Sequence, residues 1–412
     1  MGMAASHAAG KELHDAIFGA SAACGEATKK FGAEKVTNAT IGTMLDDEGK
    51  FATIPTMERV YRSLSISDYM SYAPITGLPE YLEAVVDLTF ADQRPEGYFA
   101  AVATPGGTGA LRHAIANYAE RGDAVLTSDW FWGTYNVICR ENGCSLKNFK
   151  LFDEALNFNL ADFTEQVNGL LAKQESLLTI INSPAHNPTG YSLSLEEWDG
   201  VLDVLKAQAA KGKKLTLVVD IAYIDFAGEK QEVRKFMKKF GSLPENILVC
   251  FAFSMSKSYT AYGQRTGALV AVSSSQSVID EFKNITKYSA RATWSNINRG
   301  AMTLLARLNA DKSALASFEQ EREEFYQMIR GRAQIFAKEA QACGLKALPY
   351  KAGFFIAVPA ADPQAVCDKL HDDLIFAVPL KLGVRFAVCS TPTAKMSGMA
   401  EKTLKALQAV EG

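Results

Sequence analysis

Residues 254–267 read Ser-Met-Ser-Lys-Ser-Tyr-Thr-Ala-Tyr-Gly-Gln-Arg-Thr-Gly, directly after the apolar run 247–253. A lysine amine can condense with an aldehyde, and serines with an arginine can hold the phosphate that such an aldehyde carries. Lys257, Ser254, Ser256 and Arg265 thus meet the protein-side needs of pyridoxal phosphate, a cofactor held through a lysine Schiff base. A lysine after a strand is ordinarily a solvated surface charge. Here other segments supply what the cofactor still needs. Asp220 closes the apolar run 215–219, with Tyr223 three residues on. A carboxylate there can keep a pyridine nitrogen protonated, and a phenol can hydrogen-bond the ring oxygen; an Asp capping a turn is the plainer alternative.

Asn187, in the turn His186-Asn-Pro-Thr-Gly190, can reach the same ring oxygen. Gly106, Gly107 and Thr108 open a helix whose free N–H groups suit a phosphate. Their spacing fits neither a Walker motif nor Gly-x-Gly-x-x-Gly. Trp130, just past a strand end, offers a flat indole for stacking, although tryptophans also fill cores. Arg385 stands in the apolar run 384–388, where a charge is costly without a partner. A substrate carboxylate or an internal salt bridge would answer it. Arg291, five residues before Asn296, reads by itself as a surface cation.

Positioning these groups takes a sheet whose strands end together. Near-continuous apolar runs at 101–104, 124–128, 177–182, 215–220, 247–253 and 267–272 read as strands buried on both faces. Amphipathic helices at 108–121 and 195–210 lie between them. The pattern predicts an α/β fold with a mainly parallel central sheet and helices on both faces, ligands lying beyond the carboxyl ends of the strands. After residue 296 the texture changes to a long helical region, 298–344, then short strands at 354–358 and 384–388 and a final helix at 397–410. We expect a large domain over 58–297, and a smaller α+β domain built from 1–57 and 298–412.

A formal net charge of −3 gives no electrostatic footprint for nucleic acid or an anionic membrane surface. No apolar run is long enough to span a bilayer, and the first 30 residues lack a signal-peptide pattern. Seven cysteines without a Cys-x-x-Cys pair fit reduced thiols in a cytoplasmic protein and assemble no metal set.

Taken in order along the chain, these motifs resemble the aspartate and aromatic aminotransferases, pyridoxal-phosphate enzymes of fold type I. The matching pieces are the segment from Tyr72 to Glu80, the Gly106 loop, the Asn187 turn, Asp220 with Tyr223, the Ser254–Lys257 segment with Arg265, and Arg385. They span most of the chain. The resemblance implies that Lys257 forms the Schiff base and carries the proton, and that Asp220 pairs with the ring nitrogen. Asn187 and Tyr223 would bind the ring oxygen and Trp130 would stack on the ring. Gly106, Gly107, Thr108, Ser254, Ser256 and Arg265 would surround the phosphate. Arg385 would take the substrate α-carboxylate beside Gly42. A homodimer with its sites at the subunit interface is implied, Tyr72 reaching the partner's phosphate and Arg291 receiving a second substrate carboxylate. Two positions depart from the family: Gly133 and Asn182 stand where aspartate aminotransferases commonly carry histidines.

The activity expected is ping-pong transfer of an amino group between an amino acid, dicarboxylic or aromatic, and a 2-oxo acid such as 2-oxoglutarate. A lyase or decarboxylase on the same fold, and a non-catalytic cofactor-binding regulator, are the alternatives, because fold and cofactor do not fix the reaction.

Overall fold

The computed structural model describes residues 2–13 and 15–412. Seven strands form the main sheet: β1 (Tyr98–Thr104), β2 (Ala124–Ser128), β3 (Ser145–Phe149), β4 (Ser176–Asn182), β5 (Lys214–Asp220), β6 (Ile247–Ser254) and β7 (Gly267–Ser273). Their spatial order is β1-β7-β6-β5-β4-β2-β3. Neighbours are parallel except around β7, which runs antiparallel to both β6 and β1. Among the strands of this sheet expected from sequence, 124–128 is reproduced without change and the others lengthen by one to three residues; those expected at 354–358 and 384–388 are each displaced by one residue, to Phe355–Pro359 and Gly383–Ala387. Strand β3 was not expected. Ser145, Lys147 and Asn148 make it polar, as suits a sheet edge.

The register collects the chemistry at one rim. Asn182 lies opposite Asp220, and Ser254 opposite Gly267, which in turn faces Thr104. A Cβ on Gly267 would fall 2.5 Å from Phe253 O and 2.7 Å from the Gly106 carbonyl carbon, so the bare backbone lets the turn after β1 press onto the sheet. That turn starts helix α1 (Gly106–Tyr118), which packs on β6 and β7.

Two large apolar cores flank the rim. One joins a face of the sheet to Trp198, Val201, Leu202 and Leu205 of the helix Leu195–Ala209, and to the 3₁₀ segment Glu232–Phe240. The second gathers residues of the N-terminal segment, such as Ala39 and Met44, with a three-stranded antiparallel sheet, Phe355–Pro359, Gly383–Ala387 and Val378–Leu380. The region 298–344 is two helices rather than one: Arg299–Ala310, then Lys312–Cys343, hereafter the long helix. Asp311 interrupts them because its side chain caps the second, accepting from the amides of Ser313 and Ala314. The long helix passes from the first core (Phe318) to the second (Phe336). Among the described residues no helix is long and apolar enough to cross a membrane.

Trp198 is fully buried, stacked on Phe236 at 5.1 Å and edge-on to Phe240 at 5.4 Å. Trp198→Ala is expected to cost about 3–5 kcal/mol, read as a lower urea midpoint; a loss below about 1 kcal/mol would contradict this packing.

Candidate active site

Beyond the rim lies a cavity of about 250 Å³ whose wall includes Gly42, Gly107, Thr108, Asn187, Asp220, Tyr223, Ser254, Ser256, Lys257, Arg265 and Arg385. Eleven residues selected from sequence therefore meet in one place, drawn from both sides of the rim.

Lys257 sits on the single helical turn Met255–Ser258. Its Nζ donates to Gly42 O at 2.6 Å and lies 4.8 Å from the centre of the Tyr262 ring. Burial pulls the amine down to about 8; Cys389 opposes the shift, and the positive charges of Arg385 and Arg265 add to it. An amine near neutrality can act as a base, which one at the ordinary lysine value does not.

Asp220 is buried at the end of β5, where one carboxylate oxygen accepts the Tyr135 hydroxyl at 2.6 Å and the other the Ala222 amide at 3.1 Å. Burial raises its pKa, and these two hydrogen bonds oppose the rise. A buried carboxylate without a cationic partner suits a ligand that presents an N⁺–H donor. Asn182 reinforces the rim, donating to Asp220 O at 2.8 Å and accepting the Asn187 amide at 2.7 Å. The Asn187 side chain then meets Tyr223 Oη at 3.5 Å and accepts from Arg385 Nη1 at 3.3 Å.

The anion cradle stands opposite. Among the described residues no side chain caps α1, which leaves its first amides free at the wall beside Gly107 and Thr108. Arg265, held in a left-handed backbone conformation (φ 49°), donates to Ser256 Oγ at 3.2 Å and Tyr262 O at 3.0 Å. A Cβ on Gly107 would stand 3.3 Å from Ser254 Cβ, so the glycine keeps the cradle open. A guanidinium, two serine hydroxyls and free helix amides form a phosphate site.

Arg385 is 3% exposed. It donates to Thr40 O at 2.8 Å and lies 4.2 Å over Phe355, yet its Nε has no partner. Burial lowers it to about 10. Among the described residues no carboxylate pairs with it, which removes the internal salt bridge as an explanation and leaves an anionic ligand. The phosphate cradle, the uncompensated Asp220 and the orphaned Arg385 Nε together fit pyridoxal phosphate plus a carboxylate.

The structure alters one expectation drawn from the sequence. Trp132, not Trp130, lines the cavity. Asp129 accepts the amides of Trp130 and Leu151, so the chain turns there; Trp130 enters the core against Gly383, while Trp132 comes out on the wall. Tyr135, two residues after Gly133, is the side chain that contacts Asp220, and sequence reasoning missed it. A phenol spaced three residues after a tryptophan is too common a pattern to have singled it out. Tyr262, Phe355, Leu111 and Ile17 are further wall residues that sequence reasoning missed. Gly106 stands just behind the wall with φ 72°, beside Arg265. Tyr72 and Arg291 lie elsewhere: Tyr72 is 89% exposed, and Arg291 is exposed with Ser295 Oγ as its partner at 2.6 Å.

The family model for aminotransferase class I and II matches residues 34–402. The aspartate aminotransferase of Escherichia coli (strain K12) is 27% identical over 74% of this chain and 77% of its own length. The aromatic-amino-acid aminotransferase of the same organism is 26% identical over 88% of this chain and 91% of its own. A crystal structure of an aminotransferase from Anaerococcus prevotii superposes with a TM-score of 0.96 at 39% identity, covering 98% of this chain and 100% of that one.

A Cβ on Gly106 would fall 2.7 Å from Arg265 Nη2. Gly106→Ala should therefore fold, losing about 1–2 kcal/mol to the positive φ. Cofactor affinity should drop about 10–100-fold as the guanidinium is displaced from the phosphate. Titration of apoenzyme with pyridoxal phosphate measures this; unchanged affinity would remove Arg265 from the cradle.

Proposed function

This chain belongs to the class I and II aminotransferases, and on that footing we propose that its preferred amino donors are the dicarboxylic amino acids, with 2-oxo acids as acceptors. The protein is a pyridoxal-phosphate-dependent transaminase. The cofactor, when bound, supplies the electron sink for the charge left at the substrate Cα.

The observation that carries the residue roles is the pairing of a buried Arg385, without a carboxylate partner among the described residues, with Lys257 across one small cavity. Arg385 binds the α-carboxylate with two parallel N–H donors, which directs the Cα–H bond at Lys257 Nζ. With its value near 8, about a tenth of the Lys257 amine is neutral at pH 7 and able to take that proton. Lys257 would hold that proton at Nζ, where it would be placed to return it within the same cavity. Asp220, held by Tyr135 and the Ala222 amide, keeps the proton on the cofactor's ring nitrogen. Tyr223 and Asn187 stand beside it for the ring oxygen, and Trp132 provides the aromatic face.

Arg291 supports the dicarboxylic preference: an exposed arginine whose hydrogen bond among the described residues goes to a serine is free to enter a neighbouring subunit's cavity. Exposed Ile66, Met70 and Tyr72 form an apolar surface that a second copy would cover. The relatives named for aspartate and for aromatic amino acids bracket this assignment. The apolar walls at Ile17, Leu111 and Phe355 favour aromatic donors as a second reading.

With 2-oxoglutarate as acceptor, Lys257→Ala should lower turnover by at least ~10²–10⁴-fold, the usual worth of a general base. Arg291→Ala should cut kcat/KM for aspartate about 10–100-fold and leave that for phenylalanine within a few-fold. A donor panel on both variants reads this out. Equal losses for aspartate and phenylalanine would dismiss the dicarboxylic preference in favour of the aromatic one.

A further inference from the structure

The amine of Lys257 has an aromatic surround. Its Nζ donates to Gly42 O and stands 4.8 Å from the ring centre of Tyr262, 5.8 Å from that of Tyr223 and 5.8 Å from that of Phe354. All three rings lie within the range at which an aromatic face attracts a cation, and Tyr262 is the nearest of them. The two buried acids at and after the end of β5 are bound elsewhere: Asp220 by the Tyr135 hydroxyl at 2.6 Å, and Asp225 by Arg234 at 2.6 Å and Arg322 at 3.2 Å. Among the described residues no carboxylate pairs with Nζ. The rings themselves are pinned. Tyr262 opens the 3₁₀ turn Tyr262–Gln264, its hydroxyl accepts the Met44 amide at 3.0 Å, and Phe51 meets its ring edge-on at 5.9 Å. Phe354 packs edge-on against Tyr223 at 5.2 Å and Phe226 at 5.0 Å. Met44 stands two residues after Gly42, so the loop that gives Nζ its carbonyl is also tied to the tyrosine that gives it a face.

A base has to take a proton and also give it up. An ion pair with a carboxylate would keep the lysine charged, whereas aliphatic walls would leave the ammonium with little besides a carbonyl. A ring face lies between these extremes, favouring the charged amine by about twofold to thirtyfold in its protonation equilibrium. We propose that Tyr262 is the ring that holds the Lys257 ammonium, with Tyr223 and Phe354 completing an aromatic cage, between the taking of a proton and its return. The hydroxyl of Tyr262 fixes where the ring stands, and the face does the binding. Burial and the charges of Arg385 and Arg265 draw the amine down to about 8, and the cage limits that fall. The proposal rests on Lys257 being the amine that reacts.

The test is competitive labelling of the full-length protein, freed of cofactor, with trace acetic anhydride at graded pH. Only a neutral amine is acetylated, so labelling of the Lys257 peptide, read by mass spectrometry, rises with pH through the value of that amine. The other titratable groups facing Nζ, namely Arg385, Arg265, Cys389 and the Tyr223 phenol, are the same in every variant. Wild type should show a midpoint near pH 8. Tyr262→Phe loses the bond to Met44 and keeps the face, and its midpoint should stay within about 0.3 pH units of wild type. Trifluorophenylalanine at position 262 keeps the shape of that ring and strips its face of negative charge. Its midpoint should fall about 0.4–1.5 pH units below that of Tyr262→Phe, because the ammonium loses its attraction while the burial stays. Tyr262→Leu should fall likewise. Equal midpoints for the phenylalanine and trifluorophenylalanine proteins overturn the proposal, as does a raised midpoint in Tyr262→Leu, which would make the ring a mere shield against water. A midpoint in Tyr262→Phe as low as that of Tyr262→Leu also overturns it, since the hydroxyl would then carry the effect. Transamination by Lys257→Ala at the wild-type rate would overturn the role of Lys257 in the reaction instead, whatever the labelling midpoints.

Discussion

The amine of Lys257 is partly withdrawn from water in the wall of the cavity, and most of the surrounding architecture follows from that constraint. A partly desolvated ammonium is unfavourable, so its pKa comes down to about 8. Its one strong acceptor, Gly42 O, belongs to the N-terminal segment packed with the second core, whereas the lysine itself rises from the main sheet. This hydrogen bond of 2.6 Å thus spans the two halves of the cavity, as does that from Arg385 to Asn187. Keeping it in place requires the rim, the turn after β6 and the loop at Gly42 to agree in position.

The charged side chains sort into two kinds. Arg385, Arg265 and Asp220 face the cavity without an opposite charge from the described residues, which makes them complementary to an anion, a phosphate and a cationic N–H. Asp225 and Asp47 are answered within the chain. Asp47 binds Arg332 at 2.7 Å and accepts from the Thr393 amide and hydroxyl, which brings its carboxyl down to about 2. Charges of the first kind wait for ligands, and those of the second kind fix backbone. This division separates chemistry from scaffold more sharply than residue type does.

Much of this was legible in the chain itself. Strands buried on both faces announce themselves as apolar runs, and polar residues closing them, Ser128, Asn182, Asp220 and Ser254, mark the rim. What escaped detection depended on contacts distant in sequence. Tyr135 became significant only once the chain brought it 85 positions along to Asp220. Trp130 and Trp132 are equivalent by composition; the side chain of Asp129 decides which one faces the cavity. Strand β3 has the polarity of a loop and is a strand because β2 offers it an edge. Asp225 reads in sequence as an ordinary turn acid, and its two arginines come from 9 and 97 residues away.

The long helix carries Arg322 to Asp225 beside the reactive lysine, and Arg332 to Leu45 O and Cys389 O, the strand continuation beyond Arg385. Ten residues of helix set those two anchor points about 15 Å apart along its axis. The helix is therefore a ruler laid between the base and the carboxylate clamp. Inserting one residue between its two arginines would rotate one guanidinium by about 100° away from its acceptors. Evolution can vary the outer face of this helix freely, but its length between positions 322 and 332 is a dimension of the active site.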